Sequence, residues 1–165
     1  TLKAPFRLQA TQSETALRSA FRGFCNHQKP TASGNLMLSE RGGFLSLRPH
    51  LQSADLFELG KHCLEAFDPF RAPLEQSDLD RRRNARLRPR QNQLLHQWGY
   101  PYVLQAFQFH ITFTSFLSIL QRETIIPALK NFLAHELDRP FIIAYLALMG
   151  EDRNCLLYTS DAADE

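Results

Sequence analysis

The stretch Ala106-Phe-Gln-Phe-His-Ile-Thr-Phe-Thr114 decides the predicted fold, because apolar and polar side chains alternate without exception from position 107 to position 114. A period of two is typical of a β-strand that buries one face and exposes the other. One face carries the apolar side chains of Phe107, Phe109, Ile111 and Phe113. We therefore expect the side chains of His110 and Thr112 to project together from the opposite face.

An imidazole beside a hydroxyl is suited to phosphate chemistry. The ordinary pKa of histidine, about 6.5, lets His110 act as an acid or a base near neutral pH. The hydroxyl of Thr112 could donate a hydrogen bond to a phosphate oxygen. The residues alone leave an alternative open, since a half-exposed strand with polar outer residues gives the same pattern.

Outward from this strand, sequence patterns predict an α+β protein with two similar halves. Alternation predicts a strand over Thr1–Leu8, and Thr11-Gln-Ser-Glu14 resembles a capping box that opens a helix. The remaining predicted elements are strands near Asn35–Ser39 and Phe44–Leu47 joined at Gly42-Gly43, a helix from Ser53 to Phe67, a short helix from Ser77, a helix over Pro89–Trp98 capped by Gly99, a strand over Ala106–Ser115, a helix over Arg122–Leu137 and a strand over Phe141–Leu148.

Composition places the chain among ordinary globular proteins. Of its 165 residues, 44% are hydrophobic and 22% are charged. No run approaches the roughly 18 apolar residues of a membrane span, so we expect no membrane partner. Cys25, Cys63 and Cys155 form no Cys-x-x-Cys pair, and an odd number favours reduced thiols in the cytoplasm.

Five spaced motifs carry a resemblance to a known family. His110-Ile-Thr-Phe113 matches the His-x-Thr/Ser-hydrophobic signature of the two-histidine phosphoesterase superfamily, which carries it once in each lobe. The chain also resembles one branch, whose members are often encoded beside phosphonate-degradation genes. The motifs of that branch stand here as Thr1-Leu-Lys-Ala-Pro-Phe6, Gly42-Gly-Phe-Leu45, Phe67-Asp-Pro-Phe-Arg-Ala-Pro73, Trp98-Gly-Tyr-Pro-Tyr102 and Phe109-His-Ile-Thr112.

The resemblance implies two lobes of antiparallel sheet with packed helices around a central cleft, as in RNA ligases and cyclic phosphodiesterases. Residues 1–154 would form this single bilobal domain, with lobe one at about 1–68, a basic linker at about 69–92 and the remainder at about 93–154. Residues 155–165 resemble a translated sequencing adapter, so we expect a non-native tail in place of the last strand. The chain is thus expected to be truncated at both ends.

The implied activity is that of a phosphodiesterase without metal or cofactor, acting on a small cyclic or diester phosphate. His110 and a second histidine, two positions before Thr1, would share the acid and base roles. The hydroxyls of Thr1 and Thr112 would hold the nonbridging phosphate oxygens. General acid and general base each contribute about 10²–10⁴-fold, so we expect the chain with one histidine to be nearly inactive.

Lys3, Arg71 and Tyr102 are further candidates for substrate binding. Lys3 could contact the phosphate, Arg71 could guard the cleft mouth and Tyr102 could stack on a sugar or base. Each has an alternative interpretation: a solvated surface for Lys3, a structural ion pair for Arg71 and packing at a turn for Tyr102.

Two other functions remain open at this point. Six arginines between positions 81 and 90 could follow a nucleic-acid backbone, which would suit an RNA-end 2',3'-cyclic phosphodiesterase, although a solvated helix explains them too. The chain could also be a phosphate-ester binding module without catalysis. The sequence has no Walker-type or Gly-x-Gly-x-x-Gly loop and no His/Cys spacing typical of a metal site, and it identifies no protein partner.

Overall fold

A computed structural model describes residues 1–83, 87–151 and 157–159. Within these ranges the chain forms five α-helices and six β-strands. The helices are α1 (Glu14–Asn26), α2 (Ala54–Phe67), α3 (Gln76–Arg83), α4 (Pro89–Trp98) and α5 (Ile119–Leu137). The strands are β1 (Thr31–Arg41), β2 (Phe44–Pro49), β3 (Ile111–Thr112), β4 (Pro140–Ile143), β5 (Met149–Glu151) and β6 (Leu157–Thr159). The α+β class is confirmed.

Four strands form one antiparallel sheet in the order β3-β2-β1-β4. Its centre is the hairpin β1–β2, predicted from Gly42-Gly43, where both glycines have the positive φ angles that such a turn requires (58° and 85°). A bulge at Gly34 (φ 79°) separates the pair Ala32↔Ile142 from Asn35↔Pro140, since β1 uses one more residue than β4 between them.

The ends of three helices can be compared with the caps that the sequence predicts. Ser53 Oγ accepts from the backbone N–H of Leu56, and α4 ends at Gly99 in the left-handed region (φ 74°), both as predicted. The predicted cap at Thr11 is wrong by two residues, because Ser13 accepts from the N–H of Ala16. Both Thr11 and Ser13 carry a hydroxyl that can cap a helix, and Ser is the more favourable N-cap residue, so the motif alone did not determine the first residue of α1.

Helix α2 lies at the centre of the apolar packing. Cys63 and Phe67 on one side of α2 pack with Leu17 of α1, and the ring of Phe67 contacts the ring of Phe24 edge-on at 5.2 Å. Leu64 on the other side packs with Leu94 of α4 and with Val103. Burial raises the pKa of the Cys63 thiol to about 11, so this cysteine is unreactive.

Two predicted strands are wrong or too long. Residues 1–8 do not form a strand, and the segment pairs only through an isolated bridge between Leu8 and Arg71. In the second half, the strand predicted over Ala106–Ser115 is reduced to Ile111–Thr112, and a 3-10 turn occupies Leu104–Ala106. Alternation gives each segment two faces but does not supply the neighbouring strand that a ladder needs.

The carboxyl-terminal part also differs from its prediction. The strand expected over Phe141–Leu148 is divided into β4 and β5, separated by residues 144–148. No strand was expected after residue 150, yet Leu157–Thr159 forms β6, antiparallel to β5. The predicted non-native tail therefore includes a paired segment, whereas its residues 155–156 and 160–165 lie outside the described residues.

The two-lobe arrangement and the proposed division into lobes and linker stay predictions. Strands β1 and β2 from the first half share one sheet with β3 and β4 from the second. Residues 84–86 of the arginine-rich run, and the side chains of 81–83, lie outside the described residues. Among the described helices, none combines the length and the apolar character needed to cross a membrane.

Candidate active site

His110 stands exposed at the start of edge strand β3, with its imidazole fixed by the chain itself. Its Nδ1 lies 2.8 Å from the carbonyl oxygen of Gln108. A carbonyl can only accept, so in the neutral ring the proton resides on Nδ1 and Nε2 presents a lone pair. Nε2 can then take a proton from a nucleophile or, once protonated, give one to a leaving oxygen.

Gln52 holds the segment that leads into His110. Its Nε2 donates to the carbonyl oxygen of Phe107 at 3.4 Å, and its Oε1 accepts from the backbone N–H of Phe109 at 2.9 Å. The side-chain amide thus makes the donor and acceptor contacts that a neighbouring strand would make. This explains how residues 107–109 stay extended without being part of a ladder.

Thr112 belongs to a row of hydroxyl side chains that crosses the sheet. In the register, Thr112 faces Ser46 of β2, and Ser46 faces Ser39 of β1. Directly opposed residues of an antiparallel ladder point to the same side. Ser39 and Ser46 are half-buried and Thr112 is exposed, so this row offers hydroxyl donors beside His110.

The opposite side of the same strands is apolar. Leu45 (0% exposed) and Leu47 of β2 and Leu36 of β1 are buried there. The ring of Phe107 packs against α2 at Gly60, where an added Cβ would lie 3.0 Å from the ring. Of the predicted apolar face, residues 107, 109 and 111 are half-buried, whereas Phe113 is 44% exposed and departs from the pattern.

Lys3 and Arg71 meet at one carboxylate, that of Asp68. Lys3 Nζ donates to Asp68 Oδ1 at 3.0 Å, and Arg71 donates to both carboxylate oxygens, from Nε to Oδ1 at 2.8 Å and from Nη2 to Oδ2 at 3.2 Å. The side chains of Lys3 and Arg71 are 7% and 13% exposed. Both cations therefore share a half-buried counter-ion within the protein.

The surroundings of Asp68 act on its pKa in opposite directions. Burial alone would raise the pKa, but hydrogen bonds from Arg71 and Lys3, together with their charges, lower it below its ordinary value. Burial lowers the pKa of Lys3, and the hydrogen bond and charge of Asp68 oppose that effect. Asp68 is therefore ionised at neutral pH and is the shared counter-ion of Lys3 and Arg71.

Arg71 also joins two of the family-like motifs. Its Nη2 donates to the carbonyl oxygen of Gln97 at 3.1 Å, just before the segment 98–102. A Cβ at Gly99 would lie 2.9 Å from Cδ of Arg71, so only glycine allows this side chain to pass. The segment 67–73 is thereby fastened to the end of α4.

Tyr102 and Thr1 have the weakest structural connection to His110. Tyr102 is 40% exposed, and its ring contacts the ring of Tyr100 edge-on at 5.7 Å. Within the described residues, no hydrogen bond or ion pair joins Thr1 to His110 or Thr112. The amino-terminal segment does approach residues 103–107, because Leu2 and Phe107 line the same small cavity against α2.

No cluster of three or more His, Cys, Asp or Glu side chains suited to a metal ion occurs in residues 1–83, 87–151 and 157–159. The roles assigned to Thr1, Lys3, Arg71, Tyr102, His110 and Thr112 stay predictions.

Comparison with known proteins gives the family. Residues 1–156 match the family described as "Protein of unknown function (DUF1045)". The chain belongs to this family.

Two curated relatives share this region. The chain is 34% identical over 156 residues to "Ribose 1,5-bisphosphate phosphokinase PhnN" of Janthinobacterium sp. (strain Marseille), which covers 92% of the chain and 34% of the relative. It is 32% identical over 115 residues to the protein of the same name from Laribacter hongkongensis (strain HLHK9). This match covers 70% of the chain and 26% of the relative. The chain thus spans about a third or less of these relatives. No solved structure matches.

Sequence reasoning missed several polar residues of the site in this DUF1045 chain. Ser39, Ser46 and Arg48 lie on strands that were predicted only approximately, without a register. The alternation of residues 44–49 could have assigned Ser46 and Arg48 to the face opposite Leu45 and Leu47. It could not have given the pairing of β2 with β3, which places Ser46 opposite Thr112.

Proposed function

We propose that this DUF1045 protein is a phosphodiesterase that works without a metal ion, with His110 as general acid or general base. The observation that carries the proposal is the exposed His110, whose Nδ1 contact with Gln108 leaves the lone pair of Nε2 available, with the exposed Thr112 two residues further along the chain. A phosphodiester seated on this face would receive a hydrogen bond from Thr112 while Nε2 moves the proton.

The second acid–base group would come from the amino-terminal side. The resemblance to two-histidine phosphoesterases implies a histidine two positions before Thr1, with the Thr1 hydroxyl on the other nonbridging oxygen. One histidine would deprotonate the attacking water or hydroxyl, and the other would protonate the leaving oxygen. Because Asp68 already binds Lys3 and Arg71, these cations hold the amino-terminal segment in place in this proposal.

The substrate would be a small phosphate ester, and Tyr102 is placed on the surface where it could stack on a sugar. The relatives are named for ribose 1,5-bisphosphate, which is a sugar phosphate. Their name also specifies a kinase, but about two thirds of one relative and about three quarters of the other lie outside the matched region, and this sequence has no Walker-type loop. We therefore assign this region a phosphoester chemistry of its own, within phosphonate metabolism.

The test uses protein expressed together with the residues that its gene encodes upstream of Thr1. Hydrolysis of small cyclic phosphodiesters is measured for the unchanged protein, for His110→Ala and for His27→Ala. His27 is a matched control, since its Nδ1 also lies 2.8 Å from a carbonyl oxygen, that of Gly23, but it caps α1. We expect His110→Ala to lower kcat about 10²–10⁴-fold and His27→Ala to leave it unchanged. Equal turnover by all three proteins would exclude the mechanism.

A non-catalytic phosphate-ester binding module is the second candidate. It is favoured by the row of hydroxyls at Thr112, Ser46 and Ser39, which can donate to phosphate oxygens without any proton transfer. This candidate predicts binding of a cyclic phosphodiester without turnover, and a residue other than histidine two positions before Thr1.

A further inference from the structure

The neighbouring strand β2 adds positive charge to the face that carries His110. The ladder pairs Ser46 with Thr112 and Leu47 with Ile111, and both strands run antiparallel. One position further in this register, Arg48 would stand opposite His110, which lies immediately before the first paired residue of β3. Arg48 is exposed, and its side chain makes no hydrogen bond or ion pair with the described part of the chain.

A second guanidinium reaches the same region from β1. Arg41 Nη1 donates to Oε1 of Gln108 at 3.3 Å, two residues before His110. Its partner is uncharged, so its positive charge is not neutralised by this contact. The nearest acid in sequence, Glu40, points to the other side of the sheet and forms an ion pair with Arg122.

The face therefore has more positive charge than a simple phosphodiester can match. The strand residues that share it carry no carboxylate: they are Asn35, Met37, Ser39 and Arg41 of β1, Phe44, Ser46 and Arg48 of β2, and Thr112 of β3. A phosphodiester has one negative charge, and His110 and Thr112 already provide its proton transfer and one hydrogen bond. Arg48 and Arg41 remain for a further anionic group.

We propose that Arg48, with the hydroxyl of Ser46, binds a second phosphate of the substrate, so that the preferred substrate class is a phosphodiester bearing an additional phosphomonoester. This inference rests on the proposed function, because it places both groups on the face of His110. Arg41, at Gln108, adds to the positive field, whereas Arg48 makes the direct contact.

The experiment compares two probes that differ by one phosphate: adenosine 2',3'-cyclic phosphate and the same compound carrying a 5'-phosphate. Dissociation constants are measured by calorimetry in a His110→Ala background, which prevents turnover. Hydrogen bonds to charged groups correspond to an affinity change of about 10-fold to 100-fold, so Arg48→Ala should weaken the doubly phosphorylated probe by that factor. The singly phosphorylated probe should change less than about threefold.

Arg22→Ala is the matched control, since Arg22 is an exposed arginine of α1 outside the sheet. The inference is overturned if Arg48→Ala weakens both probes equally, if Arg22→Ala has the same effect, or if the 5'-phosphate adds no affinity to begin with. Turnover is scored separately in the protein that retains His110. If Arg48 gives selective binding of the doubly phosphorylated probe but the protein shows no turnover, the phosphodiesterase proposal is wrong and the second phosphate site stands. If the protein turns over the probes but Arg48 gives no selectivity between them, the phosphodiesterase proposal stands and the second phosphate site is wrong.

Discussion

Arg71 donates hydrogen bonds to both carboxylate oxygens of Asp68, with Nε 2.8 Å from Oδ1 and Nη2 3.2 Å from Oδ2. The same carboxylate accepts from Lys3, so one acid fastens the amino-terminal segment, the end of α2 and, through Arg71, the end of α4. This group of charges connects three parts of the chain that are distant in sequence.

Asp68→Asn should destabilise the fold, because it leaves Lys3 and Arg71 largely buried without their counter-ion. We expect the free energy of unfolding to fall by about 2 kcal/mol, the range of hydrogen bonds to charged groups. Urea denaturation at pH 7 measures it. Asp55→Asn is the control, since Asp55 is an exposed acid in the first turn of α2, and there the loss should stay below about 1 kcal/mol. Equal losses would mean that Asp68 acts only as a surface charge.

The effect of Asp68 should depend on pH with a definite sign. Its pKa in the folded chain lies below the ordinary value of 3.8, so the unfolded chain binds its proton more readily. The stabilisation is complete above the ordinary pKa and is lost as the pH falls through the lower, folded value. Urea midpoints at several pH values from 7 to 3 should therefore show the Asp68→Asn penalty shrinking in acid. A penalty that stays constant down to pH 3 would contradict the assigned pKa direction.

Gln52 is a positioning residue for His110 in the proposed mechanism. Gln52→Ala removes two hydrogen bonds from residues 107–109, so we expect a loss of about 1–2 kcal/mol in stability. Turnover should decrease through kcat more than through KM, since the imidazole rather than the binding face is released. Gln93→Ala, on the exposed side of α4, is the matched control. Gln52→Glu keeps the acceptor for the N–H of Phe109, so its kcat and stability should lie between those of the unchanged protein and Gln52→Ala. If Gln52→Ala loses stability but keeps its kcat, Gln52 is a purely structural residue.

Two glycines should respond to alanine in opposite directions. At Gly43 the φ of 85° disfavours a Cβ, which would also lie 2.6 Å from the ring of Phe116, so Gly43→Ala should cost at least 1 kcal/mol, on the order of the left-handed penalty. Gly23, inside α1, has no atom within 4 Å of an added Cβ. Gly23→Ala should therefore raise stability by about 0.5–1 kcal/mol. Thermal melting compares the two variants, and a shift in the same direction for both would contradict these assignments.

The accuracy of the sequence predictions follows from how local each signal is. Three predicted features depend only on residues close together in sequence, and they are confirmed: the hairpin at Gly42-Gly43, the caps at Ser53 and Gly99, and the helix that ends at Phe67. The segments 1–8 and 106–115 carry equally regular alternation, but a strand also requires a partner. The side chain of Gln52 and the single bridge at Leu8 occupy the places where those partners were expected.

The candidate site shows the same division. Alternation assigned His110 and Thr112 to one face, and the structure leaves both exposed. In the row from Thr112 through Ser46 to Ser39, the hairpin pairs Ser46 with Ser39, but the pairing of Thr112 with Ser46 joins residues 66 positions apart, which no local pattern encodes. The shared carboxylate of Asp68 was missed for a related reason: Lys3 and Asp68 meet only after α2 and the amino terminus pack together.

The strand order β3-β2-β1-β4 has a consequence for synthesis on the ribosome. The hairpin of residues 31–49 emerges early, yet both of its flanks come from residues 111–112 and 140–143. Until those residues leave the exit tunnel, the hairpin has two unprotected edges that could pair with another nascent chain. Closure of the sheet must therefore follow translation of at least residue 143, and a chaperone that shields residues 31–49 until then would raise the yield of folded protein.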